Sequence, residues 1–132
     1  MKILVPSAGS VPDQQTVDYV INIVKRLNAQ LIVLHILFED ETDPMGEQNL
    51  RPFVEMGKSA NVPIEPIIKR GEITAAIKKV AFEYSVDLMI LGVSHGEVVA
   101  EWMNAEFIEK TDIPVLLIPK WVSAPMKPSS KG

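Results

Sequence analysis

Five short aliphatic runs alternate along the chain with segments of helical periodicity, and this alternation restricts the fold more than any other feature of the sequence. Short aliphatic runs bounded by turn residues are typical of buried strands, and the periodic segments between them are typical of amphipathic helices. Strands and helices that alternate build a parallel sheet with right-handed crossovers and helices on both faces. The sequence therefore predicts an α/β fold. The strands are expected at residues 2–6, 31–38, 62–68, within 87–96 and at 113–119, and the helices at residues 11–29, 47–60, 72–86 and 97–110.

The composition of two strands predicts where they lie in the sheet. Residues 31–38 are apolar at both alternations, which is typical of a parallel strand covered on both faces. Residues 62–68 contain Pro63 and Pro66, which have no N–H to donate to a neighbouring strand. Such a strand is expected at an edge of the sheet.

The starts of two helices are also suggested by the sequence. Ser10 or Asp13 is expected to cap the first helix. The acidic, turn-rich residues 39–46 predict a loop, and the next helix is expected over residues 47–60. Pro52 is expected either to open the regular part of that helix or to kink it.

Length and composition predict one domain and limit its partners. A chain of 132 residues suits a single domain, expected over residues 1–120, and the Ser-, Pro- and Lys-rich residues 121–132 are expected to form a flexible tail. The net charge of −4 disfavours binding to nucleic acid or to an anionic membrane. No apolar run reaches the length of a membrane span and no leader is recognised. With no cysteine in the chain, we expect a cytoplasmic protein without disulfides or thiolate metal sites.

The turn after the fourth strand is the first candidate for a binding site. A strand, a glycine-containing turn and a helix present backbone N–H groups and the positive end of a helix dipole to an anion. In doubly wound sheets the ligand lies outside the carboxyl ends of the strands, at the point where the strand order reverses. The turn after the first strand is expected to line the same crevice. The candidate crevice residues are Ser7, Ala8, Gly9, Ser10, Gly92, Val93, Ser94, His95 and Gly96.

Four segments of the sequence, taken in order and spacing, resemble the universal stress protein family. They read KILVPSAGS, LIVLHI, RGEITAAIKKVAFEYSVDLMILGVSHG and DIPVLLIP, and together they cover almost all of residues 1–120. The resemblance implies the adenine nucleotide alpha hydrolase-like fold, which is a five-stranded parallel sheet of order 3-2-1-4-5. It also implies a homodimer with a role in the stress response.

Many members of that family bind ATP, and this sequence departs from the motif they use. The family's aspartate after the first strand corresponds to Ala8. Three residues rather than two separate Gly92 from Gly96, and aligning His95 with the family's common His-Gly puts Val93 at the first glycine position. No Gly or Ser occurs over residues 97–110, where the rest of the motif is expected.

The charges near the turn favour the same conclusion. Glu97 lies in the expected first turn of the helix, where its carboxylate can satisfy the helix dipole for about 0.3–1 kcal/mol and would repel a phosphate. We therefore expect a binding or regulatory protein with no functional ATP site and no cofactor. The alternative is an adenine nucleotide site, for ATP or a related nucleotide, with slow or no hydrolysis.

Catalysis and metal binding are weakly supported by the sequence. Ser7, Ser10 and Ser94 are expected to face one crevice, but no nucleophile elbow motif accompanies them. His95 is interpreted as a loop residue bonded to nearby backbone, and an enzyme or metal site that uses it is the third hypothesis. His35 lies in an apolar strand and is expected to be a hydrogen-bonded core histidine. We expect no enzyme activity and no metal site.

The last strand predicts how the protein associates. In the order 3-2-1-4-5 it is an edge, and an uncovered apolar edge is prone to aggregate. Pairing with the same strand of a second copy would cover it in a closed twofold dimer. The residues expected in this interface are Val115, Leu116, Leu117 and Ile118, and a further protein partner stays unidentified.

Overall fold

A computed structural model of the chain describes residues 1–8, 12–93 and 112–119. Within these ranges it contains five strands and three helices. The predicted helix at 97–110, the tail at 121–132 and the crevice residues Gly9, Ser10, Ser94, His95 and Gly96 lie outside the described residues. The elements are β1 (Lys2–Ala8), α1 (Gln14–Arg26), β2 (Gln30–Leu37), α2 (Asp43–Ala60), β3 (Ile64–Arg70), α3 (Ile73–Glu83), β4 (Leu88–Val93) and β5 (Val115–Pro119).

The five strands form one parallel sheet in the order β3-β2-β1-β4-β5, as expected. The carboxyl ends of the strands therefore all lie at one edge of the sheet. The prediction that the strand with Pro63 and Pro66 lies at an edge is confirmed, because β3 pairs only with β2 among the described residues.

Helices cover both faces of the sheet, and the sheet separates the core into two layers. α1 and α2 pack on one face, with Val17 and Phe53 against Ile3 and Leu31. α3 packs on the other face, with Ile77 and Val80 against strand residues such as Leu34. Both layers are closed, since these side chains are at most 2% exposed.

Helix α2 begins earlier than predicted, at Asp43, because Thr42 forms a capping box with Met45. The thioether of Met45 accepts the Thr42 N–H at 3.4 Å, in the place that Glu or Gln usually takes. The prediction of a loop through residue 46 is therefore wrong at its end. Pro52 does not open the helix either, because the helix is regular on both sides of it.

The start of β3 differs from the prediction, and α1 begins after one of its two predicted caps. β3 begins at Ile64 rather than Val62, because the Val62 N–H bonds to the Gly57 carbonyl and completes the end of α2. Asp13 occupies the N-cap position of α1, as one of the two expected candidates, but its side chain makes no capping hydrogen bond. Among the described residues, no helix is long and apolar enough to cross a membrane.

Candidate functional site

A split in the sheet opens between β1 and β4 toward their carboxyl ends. β1 pairs with β2 over seven residues but with β4 only through Ile3 and Leu4. The Asp87 N–H donates to the Lys2 carbonyl, so Lys2 directs its backbone groups toward β4. Because this direction alternates along a strand, the backbone of Pro6 also faces β4. The next ladder bond would need an N–H that Pro6 does not have. The ladder therefore ends at Leu4 and leaves a crevice beyond it.

Four of the predicted crevice residues lie in the described part of the chain, on the two strands that border this split. Ser7 and Ala8 end β1, Gly92 and Val93 end β4, and the two strands are neighbours in the sheet. By strand alternation, the backbone groups of Ala8 turn toward the split. The order of connections reverses at β1, so the crevice lies at the topological switch point where α/β proteins bind ligands.

His35 lies beside Ser7 and is completely buried. Its Nδ1 is 3.1 Å from the Ser7 hydroxyl, and its Nε2 is 3.1 Å from the Nδ2 atom of Asn49, a buried residue of α2. The expectation of a hydrogen-bonded core histidine is confirmed. α2 can approach the ring because residue 46 is glycine, whose added Cβ would lie 3.3 Å from the His35 Cδ2 atom.

The Asn49 amide directs its nitrogen at Nε2 of His35, and this orientation assigns the ring proton. An amide nitrogen only donates, so Nε2 must be the acceptor and the proton lies on Nδ1. Nδ1 then donates to the Ser7 hydroxyl oxygen. In this state His35 has no lone pair directed at Ser7 and is unable to take a proton from it.

Burial also holds His35 in the neutral form. Desolvation lowers the pKa of its imidazole, and the carboxylate of Glu41 opposes this more weakly. The Oε1 atom of Glu41 is 3.7 Å from Nε2 and accepts the Phe38 N–H at 2.7 Å.

The loop between β2 and α2 is held by Arg70 at the end of β3. The Arg70 guanidinium donates to the carbonyls of Phe38 and Glu41 at 3.2 and 2.7 Å, and lies 3.8 Å from Asp43. Two acids of this region, Glu41 and Asp43, therefore already contact groups of the protein itself. Within the described ranges, no group of three His, Cys, Asp or Glu side chains is placed to hold a metal ion.

A separate groove of about 440 Å³ lies between α2 and β3. It contains none of the residues predicted for the crevice, and its lining is mostly aliphatic. We therefore do not assign the ligand site to it. The lining residues are Glu47, Leu50, Arg51, Val54, Pro66 and Ile68.

The order 3-2-1-4-5 and the split beside its central strand are those of a doubly wound α/β protein. The sequence matches the Universal stress protein family over residues 1–119, so the chain belongs to this family. No curated protein matches the sequence.

Solved structures with the same fold include three that contain adenine nucleotides. A universal stress protein in complex with cAMP is 24% identical, with a TM-score of 0.69 over 89% of this chain and 95% of that chain. The protein from Archaeoglobus fulgidus in complex with dAMP is 20% identical, with a TM-score of 0.68 over 89% and 97%. A family member from Arabidopsis thaliana with AMP bound is 20% identical, with a TM-score of 0.66 over 89% and 90%. At these identities the likeness shows the fold.

Proposed function

We propose that the protein is a non-catalytic, homodimeric regulatory member of its family whose crevice binds an adenosine monophosphate rather than ATP. The observation that carries the proposal is the split between β1 and β4, where the pairing of the two strands stops at Leu4 and Met89 and their carboxyl ends separate at the switch point. We include a cytoplasmic location and a role in stress response in the proposal. The absence of cysteine supports the location, and membership of the family supports the role.

The size of the ligand is argued from the sequence of the turns. A triphosphate needs several backbone N–H groups and little negative charge around it. This chain has Ala8 at the family's aspartate position, Glu97 after the fourth strand and no Gly or Ser over residues 97–110. Three relatives of the same fold have cAMP, dAMP or AMP bound, each with a single phosphate. These observations support a ligand with one phosphate.

The absence of catalysis is argued from the protonation of His35. A serine nucleophile needs a neighbouring base with a free lone pair. Among the described residues His35 is the histidine that contacts a serine, and its Nδ1 carries a proton because Nε2 accepts from Asn49. Within the described ranges Ser7 therefore contacts no base with a free lone pair, and the proposal includes no hydrolysis.

Calorimetric titration of the purified protein tests the ligand. We expect AMP to bind with a micromolar to submillimolar Kd and ATP with Mg²⁺ to bind at least about tenfold more weakly. We also expect no phosphate release from ATP above the protein-free rate. ATP that binds as tightly as AMP would refute the single-phosphate proposal, and turnover that survives repeated purification would refute the non-catalytic one.

The dimer is argued from the outer edge of β5, which pairs with no second strand in the part of the chain that the structure describes. The Met89 N–H bonds to the Pro114 carbonyl, so by alternation Val115 and Leu117 turn their backbone groups away from β4. Leu116 and Leu117 are 39% and 48% exposed, although both are large and apolar. Two copies of β5 paired antiparallel around a twofold axis would bond these groups and cover both side chains.

Light scattering on two matched variants tests the dimer. L117E places a charge on the β5 edge, whereas F82E places the same charge at Phe82, which is 86% exposed and belongs to α3 rather than to β5. We expect the wild type and F82E to have twice the monomer mass and L117E to have the monomer mass. A monomeric wild type, or a dimeric L117E, would refute this interface.

A further inference from the structure

Asn49 of α2 is a buried polar residue that faces the ring of His35. His35 and Asn49 are the two buried polar side chains among the described residues, and they contact each other at 3.1 Å. Both belong to the layer between the sheet and α2. A polar pair retained in an apolar core has to be hydrogen-bonded, and its bonds have a direction.

The hydrogen bonds lead from α2 to the end of β1. The Asn49 amide donates to Nε2 of His35, and Nδ1 of His35 donates to the hydroxyl oxygen of Ser7. Ser7 lies one residue before the end of β1 and is only partly buried. Because its oxygen accepts the bond from His35, its own O–H proton is left to donate to another group.

We propose that Ser7 is a hydrogen-bond donor to the ligand and that His35 and Asn49 are positioning residues that fix it in this role. This inference rests on the proposed binding of an adenosine monophosphate in the crevice. The atom that meets Ser7 is then an acceptor, such as a ring nitrogen, a carbonyl oxygen or a phosphoryl oxygen. A ligand with only a donor at that point is rejected, since two donors then face each other.

The position of the His35 ring proton is tested first, in the absence of ligand. The nitrogen chemical shifts of the imidazole distinguish the two neutral tautomers and the protonated ring. The chain has only two histidines, so H95Q assigns the signals. We expect neutral His35 to carry its proton on Nδ1. A neutral ring that carries its proton on Nε2 would overturn the inference.

The role of Ser7 is tested with AMP as the probe. S7A removes the donor and should weaken AMP binding by about tenfold, the value of a hydrogen bond of roughly 1.4 kcal/mol. S7T retains a hydroxyl and should bind within about twofold of the wild type. Equal affinity of S7A and the wild type would overturn the inference.

The role of Asn49 is tested with N49D, which should reverse the direction of the hydrogen bonds from residue 49 through His35 to Ser7 while the side chain keeps nearly the same shape. A carboxylate accepts, so in N49D the neutral ring should carry its proton on Nε2 and take the Ser7 hydroxyl proton with Nδ1. At a pH where the ring is neutral, N49D should lose about as much AMP affinity as S7A. S7A combined with N49D should lose no more than either variant alone.

The outcomes separate this inference from the proposed function. A wild type that does not bind AMP refutes the proposed function and the donor role together. A wild type that binds AMP while N49D, with its ring proton on Nε2, binds equally well refutes the donor role alone. A purely structural effect of Asn49 would change the folding stability without moving the ring proton, and would add to the effect of S7A.

Discussion

Replacement of Gly57 by alanine should destabilise the protein, although alanine is the better helix former. Gly57 lies in α2, near its end, where it faces the first residue of β3. An added Cβ would lie 2.2 and 2.5 Å from the Cγ1 and Cδ1 atoms of Ile64, and 3.2 Å from the Val62 carbonyl oxygen. Real Cβ contacts are not this short, so either Ile64 or α2 has to move.

Two opposing magnitudes decide the sign of the effect. Alanine gains up to about 0.8–1.0 kcal/mol over glycine in a helix. Overpacking costs about 1–3 kcal/mol, and a 2.2 Å approach to a branched carbon belongs near the upper end. We therefore expect G57A to lower the free energy of unfolding by about 2 kcal/mol.

A double-mutant cycle with I64A isolates the contact. I64A removes the two Ile64 atoms that the new Cβ would meet and leaves the 3.2 Å approach to the Val62 carbonyl oxygen. G57A in the I64A background should therefore stabilise by up to about 1 kcal/mol, which corresponds to a coupling energy of about 3 kcal/mol. Urea unfolding followed by circular dichroism measures all four proteins, provided that the slope with denaturant stays constant. If G57A stabilises the wild type as much as it stabilises I64A, the helix and β3 are not in contact here and our reasoning is wrong.

Three further predictions follow from individual contacts. Burial lowers the pKa of His35 in the folded state, so the unfolded chain takes up the proton first; stability should be complete above the unfolded value of about 6.5 and fall as pH drops toward the folded pKa. H35Q should lose this dependence in urea unfolding at several pH values, and H95Q should retain it if His35 is its source. Glu72 caps α3 through the N–H groups of Ala75 and Thr74, which lower the pKa of its carboxyl group; E72Q should lower the Tm at neutral pH, and the difference should vanish as pH falls through that pKa. P6A supplies the N–H that β1 lacks and should extend its pairing to β4, which would weaken AMP binding in calorimetry, whereas P66A changes the outer edge of β3 and should leave AMP affinity unaltered.

The positions of the strands along the chain are predictable from the sequence because their signals are local. The runs of aliphatic residues locate the strands, and Pro63 and Pro66 place one of them at an edge. The strand order itself came from the resemblance to the family. The start of α2 was missed because its capping box uses the sulfur of Met45, which composition does not distinguish from an ordinary apolar residue.

The candidate site was only partly accessible from the sequence. The motif positions predict crevice residues after the first and fourth strands, and the structure describes four of them at the ends of β1 and β4. Asn49 is adjacent to the apolar stripe of α2 and looks like a surface residue until His35 is found opposite it. Arg70 ends a strand, and its bonds to the loop at Phe38 and Glu41 exist only once β2 and β3 are paired. Contacts of this kind depend on tertiary structure and leave no periodic pattern.

The two edge strands of the sheet, β3 and β5, differ in the amide hydrogens that they offer to a further strand. The Leu31 N–H bonds to the Pro63 carbonyl, so the backbone of Pro66 faces outward from β3 at a position with no amide hydrogen. The β5 margin has outward amides at Val115 and Leu117. If two copies pair through β5 as proposed, the dimer exposes its β3 strands, where Pro66 has no amide hydrogen to offer a further strand, so the assembly would stop at two subunits.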